Sequence, residues 1–139
     1  MEALILSLLV WIGMNTDFNL PKDKSELPKV EHKTAKELKV MAFGEKIDVG
    51  LKPVEAVYDR ELKTMYLKKG FDASDKLQQM FLVHELVHFL QAFNKKEFGC
   101  KELEEREAIK IANAWYRAQG LRNNAYEYLE IFVAMPCLQ

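Results

Sequence analysis

Cysteine is nearly absent from this chain of 139 residues: only Cys100 and Cys137 occur, and they form no CxxC pair. That excludes a disulfide-dense scaffold and speaks against a zinc site built from thiolates. The two thiols are free to close one bridge or to remain buried and reduced, and spacing alone does not choose. An excess of either charge is also missing. Twenty basic residues stand against 21 acidic ones, with no basic stripe, so nucleic acid is not the favoured partner. No low-complexity tract, internal repeat or interdomain linker interrupts the chain, which reads as one domain over 1–139.

A long hydrophobic run is lacking as well. The most apolar stretch, Ala3 to Met14 (ALILSLLVWIGM), is too short to span a bilayer comfortably. It has the look of a leader, but Glu2 stands where a positive charge is expected, and no small-x-small site follows at Asn15–Asp17. Residues 1–14 are therefore read as an apolar helix belonging to the domain, with an uncleaved membrane anchor as the alternative. Cytoplasmic and exported locations both remain open.

Helix and strand signals place the rest. Residues 15–31 carry Pro21 and Pro28 among polar residues and read as a surface loop, and His32 sits in a charged, loop-like stretch. Thr34-Ala-Lys-Glu37 matches a capping box and predicts a helix to about Phe43, stopped by Gly44. Val54–Tyr58 and Thr64–Lys68 are rich in strand formers around a turn at Asp59–Lys63, predicting a β-hairpin. After a loop with N-cap candidates Asp72 and Ser74, helices are predicted over about 75–94 and 101–119, the second closed by Gly120. A last helix is expected over 124–133, ended by Pro136. The expected fold class is α+β: mostly helical, with a small antiparallel sheet beside the first of the two long helices.

Histidine is scarcer even than proline, yet two of the three fall in one motif, His84-Glu85-Leu86-Val87-His88. Residues at i and i+4 lie about 40° apart around a helix, so both imidazoles point the same way and can grip one zinc ion. Glu85 is placed to take a proton from a water on that metal. By composition, one chance HExxH in a chain of this length is on the order of a few per thousand. Its setting adds weight, because the stretch Met80–Leu90 is apolar on every face except at these three residues. An all-round apolar helix is a buried one, and unpaired imidazoles and a carboxylate inside it would each cost roughly several kcal/mol. A buried cluster satisfied by hydrogen bonds alone is the competing explanation.

Catalytic zinc takes three protein ligands and leaves a position open. No histidine follows His88, so HExxHxxGxxH is excluded. The acidic run Glu102, Glu104, Glu105, Glu107 on the next helix is the natural source. Reading Leu103, Ala108, Ile111, Ala114, Trp115 and Ala118 as that helix's apolar stripe puts Glu104 near its centre and Glu107 about 60° away. Glu102 and Glu105 then face outward. Geometry leaves Glu104 and Glu107 both open, one as ligand and the other orienting a histidine.

With these residues in view, the sequence resembles the zincin peptidases whose third ligand is a glutamate, the gluzincins. It looks closest to short, functionally uncharacterised zinc-peptidase sequences with an HELVHxLQ helix, a downstream cysteine and an EREA-type helix. Here these stand as His84–Gln91, Cys100 and Glu105-Arg-Glu-Ala108. The likeness covers roughly residues 54–118. It implies that Glu107 is the third ligand, with Glu104 as the alternative, and that the strand Thr64–Lys68 lines a cleft and pairs with an extended peptide substrate. The activity it implies is a zinc-dependent hydrolase, a metallopeptidase acting on a peptide or protein, with Glu85 as base. The histidine or tyrosine that stabilises the oxyanion in such enzymes has no clear counterpart; Tyr116, Tyr126, Tyr128, Arg117 and Arg122 are the candidates. A non-catalytic zinc-binding interaction module is the alternative function, and a hydrolase using Cys100 as nucleophile ranks last.

Overall fold

A computed structural model describes residues 1–43, 54–124, 127 and 137. The apolar N-terminus forms helix α1 (Glu2–Asn15), burying Ile5, Leu8, Leu9 and Ile12, one helical face by spacing. A single 3₁₀ turn (Lys24–Glu26) then leads into strand β1 (Lys29–Lys33) and helix α2 (Ala35–Phe43). The hairpin follows as β2 (Ala56–Asp59) and β3 (Thr64–Lys68), and the two long helices as α3 (Lys76–Phe93) and α4 (Lys101–Ala118). The Gly44 stop and most of the tail helix expected past residue 124, with Pro136, lie outside the described residues.

The fold class is α+β as expected, but the sheet is mixed rather than antiparallel. Its order is β1-β3-β2, with β2 antiparallel to β3 and β1 parallel to it, Lys29 opposite Thr64 and Lys33 opposite Lys68. The stretch read as loop thus contributes an edge strand, and His32 sits on it. Its sequence, KVEHK, hides this because an edge strand is held by main-chain pairing and is commonly charged. β3 is therefore the central strand, and its Thr64, Met65, Tyr66 and Leu67 are all buried. The strand expected at the rim of a cleft is enclosed, and β2 takes the edge beside α3.

Local chemistry sets the ends of these elements. Thr34 and Glu37 form the capping box of α2: Glu37 N–H donates to Thr34 Oγ1 at 3.2 Å, and Thr34 N–H to Glu37 Oε1 at 3.2 Å. Asp59 Oδ1 accepts from the N–H groups of Glu61 and Leu62 to close the hairpin turn. Asp75, not Asp72 or Ser74, caps α3 by accepting from Leu77 N–H at 2.8 Å and Gln78 N–H at 3.1 Å. At the other end of α3, Asn94 exchanges two hydrogen bonds with the backbone of Asn19, tying the α1–β1 connection to it. Gly13 admits Leu20: a Cβ there would lie 2.7 Å from Leu20 Cδ1.

α3 is the centre of the molecule. Ten of its 18 residues are buried, which only a helix covered on several sides can show. It packs against α4, β2 and α1, and Met80, Leu82, Val83, Leu86, Val87 and Leu90 are inaccessible. Cys100 is the N-cap residue of α4 and is joined to Cys137 by a disulfide with a Cα–Cα distance of 5.9 Å.

Two stability measurements follow. Asp75→Ala removes the cap of the central helix and is expected to lower the unfolding free energy by about 1 kcal/mol, with Asp75→Asn close to wild type; equal denaturation midpoints for all three would contradict the cap's role. Reducing the Cys100–Cys137 bond frees a loop with sequence separation 37. Chain entropy sets the expected loss at about 4 kcal/mol, read from denaturant unfolding with and without reductant.

Candidate metal centre

The motif occupies the middle of α3, and the helix turn brings its two imidazoles together as the i, i+4 spacing requires. His84 Nε2 and His88 Nε2 are 3.1 Å apart, with ring planes at 74°. Both side chains are almost enclosed, at 13% and 11% exposure. Glu85, half-buried, points to the sheet side, where its Oε2 accepts a hydrogen bond from Tyr58 N–H on β2 at 3.0 Å. The Tyr58 ring meets Phe89 edge-on at 5.6 Å.

The glutamate that reaches the imidazoles is Glu105, not Glu107 or Glu104. Its Oε2 lies 3.1 Å from His84 Nε2, and its Oε1 lies 2.9 Å from His88 Nε2. Glu107 instead turns to Lys96 and Gln91, and Glu104 pairs with Arg60 while staying 3.8 Å from His88 Nδ1. The reason is the rotation of α4. Its buried residues are Ala108, Ile109, Ala112, Asn113 and Trp115, whereas Ala118 is exposed and Ile111 only partly covered. At about 100° per residue, this face is turned by roughly one residue from the apolar stripe. Glu105 then lies about 10° from its centre, Glu104 about 90° and Glu107 about 150° away. The misleading residue is Asn113, a polar side chain in the core. A better guide was the spacing of Ala108 and Ala112, small residues that let α4 approach α3 closely.

Charge in the cluster follows from its surroundings. Burial raises the pKa of Glu85, and the neighbouring charges of His84 and His88 only partly offset this. Burial alone would raise Glu105 too, but its hydrogen bonds to His84 and His88 outweigh that and hold it far below the usual carboxylate range. For His88, burial disfavours the imidazolium, yet the Glu105 hydrogen bond and the Glu85 charge raise its pKa overall. Glu105 is thus held as an anion between the two imidazoles, while Glu85 stands apart on the sheet side.

The geometry fits a zinc ion. One ligand atom each from His84, His88 and Glu105 lies within 4.8 Å of the others. A tetrahedral zinc with bonds of about 2.0–2.1 Å separates its ligands by about 3.3 Å, close to the 2.9–3.1 Å contacts observed here. Two imidazoles and a carboxylate are also a donor set that zinc accepts at catalytic sites. The second grouping, Cys100, Glu102 and Cys137, has its sulfurs committed to the disulfide.

Among the described residues, the oxyanion candidates have no contact with this cluster. Arg117 and Arg122 both reach Glu127, at 3.4 and 3.3 Å, and Tyr116 packs on the core. Tyr126 and Tyr128 lie outside the described residues. Sequence reasoning overlooked Arg60, which the hairpin turn carries to Glu104 beside His88. It overlooked Gln91 as well, fully buried between the helices, with Oε1 2.8 Å from His88 Nδ1.

No curated protein and no solved structure matches this chain. One family does, and over its full extent: matched from residue 1 to residue 139, the chain belongs to the DUF6647 family, described as a domain of unknown function.

Proposed function

We propose that this protein is a zinc-dependent hydrolase acting on peptide bonds, with His84, His88 and Glu105 as metal ligands and Glu85 as general base. The observation that carries the reading is the convergence of three ligand atoms on one point, with the carboxylate of Glu85 set on the next residue of the same helix. When bound, zinc supplies a Lewis acid that polarises a carbonyl and acidifies water. His84, His88 and Glu105 supply one net negative charge between them, leaving the metal cationic and electrophilic.

Glu85 carries the proton. Its Oε2 is anchored on Tyr58 N–H, which fixes the plane of the carboxylate, and Oε1 is the atom that takes a proton from water. A pKa raised by burial makes this carboxylate a stronger base and lets it keep the proton long enough to hand it to the departing amine. The strand beside the motif is β2, and its outer edge, which no other strand pairs among the described residues and whose Tyr58 N–H is held by Glu85, is the place where an extended peptide would add. Arg60, next to Glu104 at the same rim, brings positive charge to that side.

Metal analysis tests the ligand set. About one zinc per chain is expected in wild type, and none in the His84→Ala/His88→Ala double variant. Glu105→Ala is expected to weaken zinc binding far more than Glu107→Ala. No zinc, and no gain in thermal stability on adding it, would overturn the reading. The role of Glu85 has a separate test. Glu85→Gln should retain zinc and stability while losing activity on a peptide library by a factor of about 10² to 10⁴. A wild type that binds zinc yet cleaves nothing would point to a zinc-stapled interaction module.

A further inference from the structure

We propose that Gln91 is the positioning residue of the metal centre: it locks His88 in the tautomer that leaves Nε2 free to bind a metal. Gln91 sits at i+3 from His88 on α3 and is fully inaccessible to solvent. A buried primary amide needs partners for two N–H groups and an oxygen. Its Nε2 faces two oxygens, the backbone carbonyl of Glu104 at 3.0 Å and Glu107 Oε1 at 3.2 Å. Neither can donate, the first being a carbonyl and the second the carboxylate partner of Lys96. The amide nitrogen must therefore point at α4, and Oε1 must face His88 Nδ1 at 2.8 Å.

The tautomer follows from that orientation. An amide oxygen only accepts, so Nδ1 carries a ring proton, and Nε2, which faces His84 and the Glu105 carboxylate, is the nitrogen left to exchange its own proton for a metal. A ring free to choose would spend part of its time with the proton on Nε2, the atom the metal needs.

The amide is itself held from outside the site. Glu107 is gripped by Lys96, whose own backbone N–H donates to the Gln91 carbonyl at 2.9 Å. The Lys96 ammonium lies 5.3 Å from the centres of both the Phe18 and Phe98 rings. Glu107, expected as a ligand, thus acts two bonds removed: it orients the residue that orients the ligand.

This inference rests on the zinc reading for its purpose, but its test does not need zinc. Nitrogen-15 NMR of the imidazoles in the metal-free full chain reports whether His88 Nδ1 carries a proton protected from exchange with solvent. Wild type is expected to show protonated Nδ1. An unprotonated or freely exchanging Nδ1 would overturn the proposal with no variant required. Gln91→Met removes the acceptor while filling the space; it is expected to release the tautomer and to weaken zinc affinity by about 10- to 100-fold. Unchanged tautomer and unchanged affinity in Gln91→Met would overturn the role of Gln91 and leave the zinc site standing. If wild type binds no zinc, the hydrolase reading falls, and the NMR result alone decides the role of Gln91.

Discussion

Everything around α3 answers to one constraint: two imidazoles and a carboxylate are embedded in the middle of a helix that is largely apolar and covered there. Left without partners in that setting, each would destabilise the fold by roughly several kcal/mol. The molecule meets the constraint by bringing polar groups to both Nε2 atoms, to His88 Nδ1 and to the Glu85 carboxylate. Glu105 and the paired Nε2 atoms face one another, Gln91 faces His88 Nδ1, and Tyr58 N–H faces Glu85. Each partner comes from a different place: α4, the same helix, and the edge of the sheet. The site is therefore a product of how three elements dock, and those elements are held by the apolar contacts on either side of it.

The docking explains why the two carboxylates nearest the imidazoles behave oppositely. Glu85 lies towards the sheet, meets a single backbone N–H, and is pushed up by burial. Glu105 bridges both histidines and is held down by them. Environment alone pushes one carboxyl up and holds the other down, although both are glutamates beside the same two histidines. The close approach of α4 that places Glu105 depends on Ala108 and Ala112, and its N-terminal end is pinned by the Cys100–Cys137 bond. The β2–β3 turn adds Arg60 to the rim, so sheet and helices meet around the cluster.

Several features were legible in residues alone because the physics behind them is local. The capping box at Thr34 and Glu37 needs only three residues, and the structure forms it with the expected hydrogen bonds. The apolar period of residues 76–93 requires a buried helix, and the i, i+4 histidines must share a face of it wherever that helix ends up. The hairpin was readable from strand formers on either side of a short turn. β1 was not, because an edge strand is defined by the neighbour whose N–H and C=O groups it meets, and KVEHK carries little of that in its side chains.

Sequence by itself determined that His84 and His88 stand together, with Glu85 beside them in an apolar helix, since 3.6 residues per turn leaves no other arrangement. Only the tertiary structure decided which glutamate completes the cluster. α4 offers four in its first two turns, and the choice depends on its rotation about its own axis, set by packing against α3 through Ala108, Ile109 and Ala112 with Asn113 taken inside. A rotation of one residue moves about 100° of helix surface, enough to replace Glu104 or Glu107 by Glu105. The spacing of Ala108 and Ala112 points towards that angle, but the shape of the partner helix fixes it.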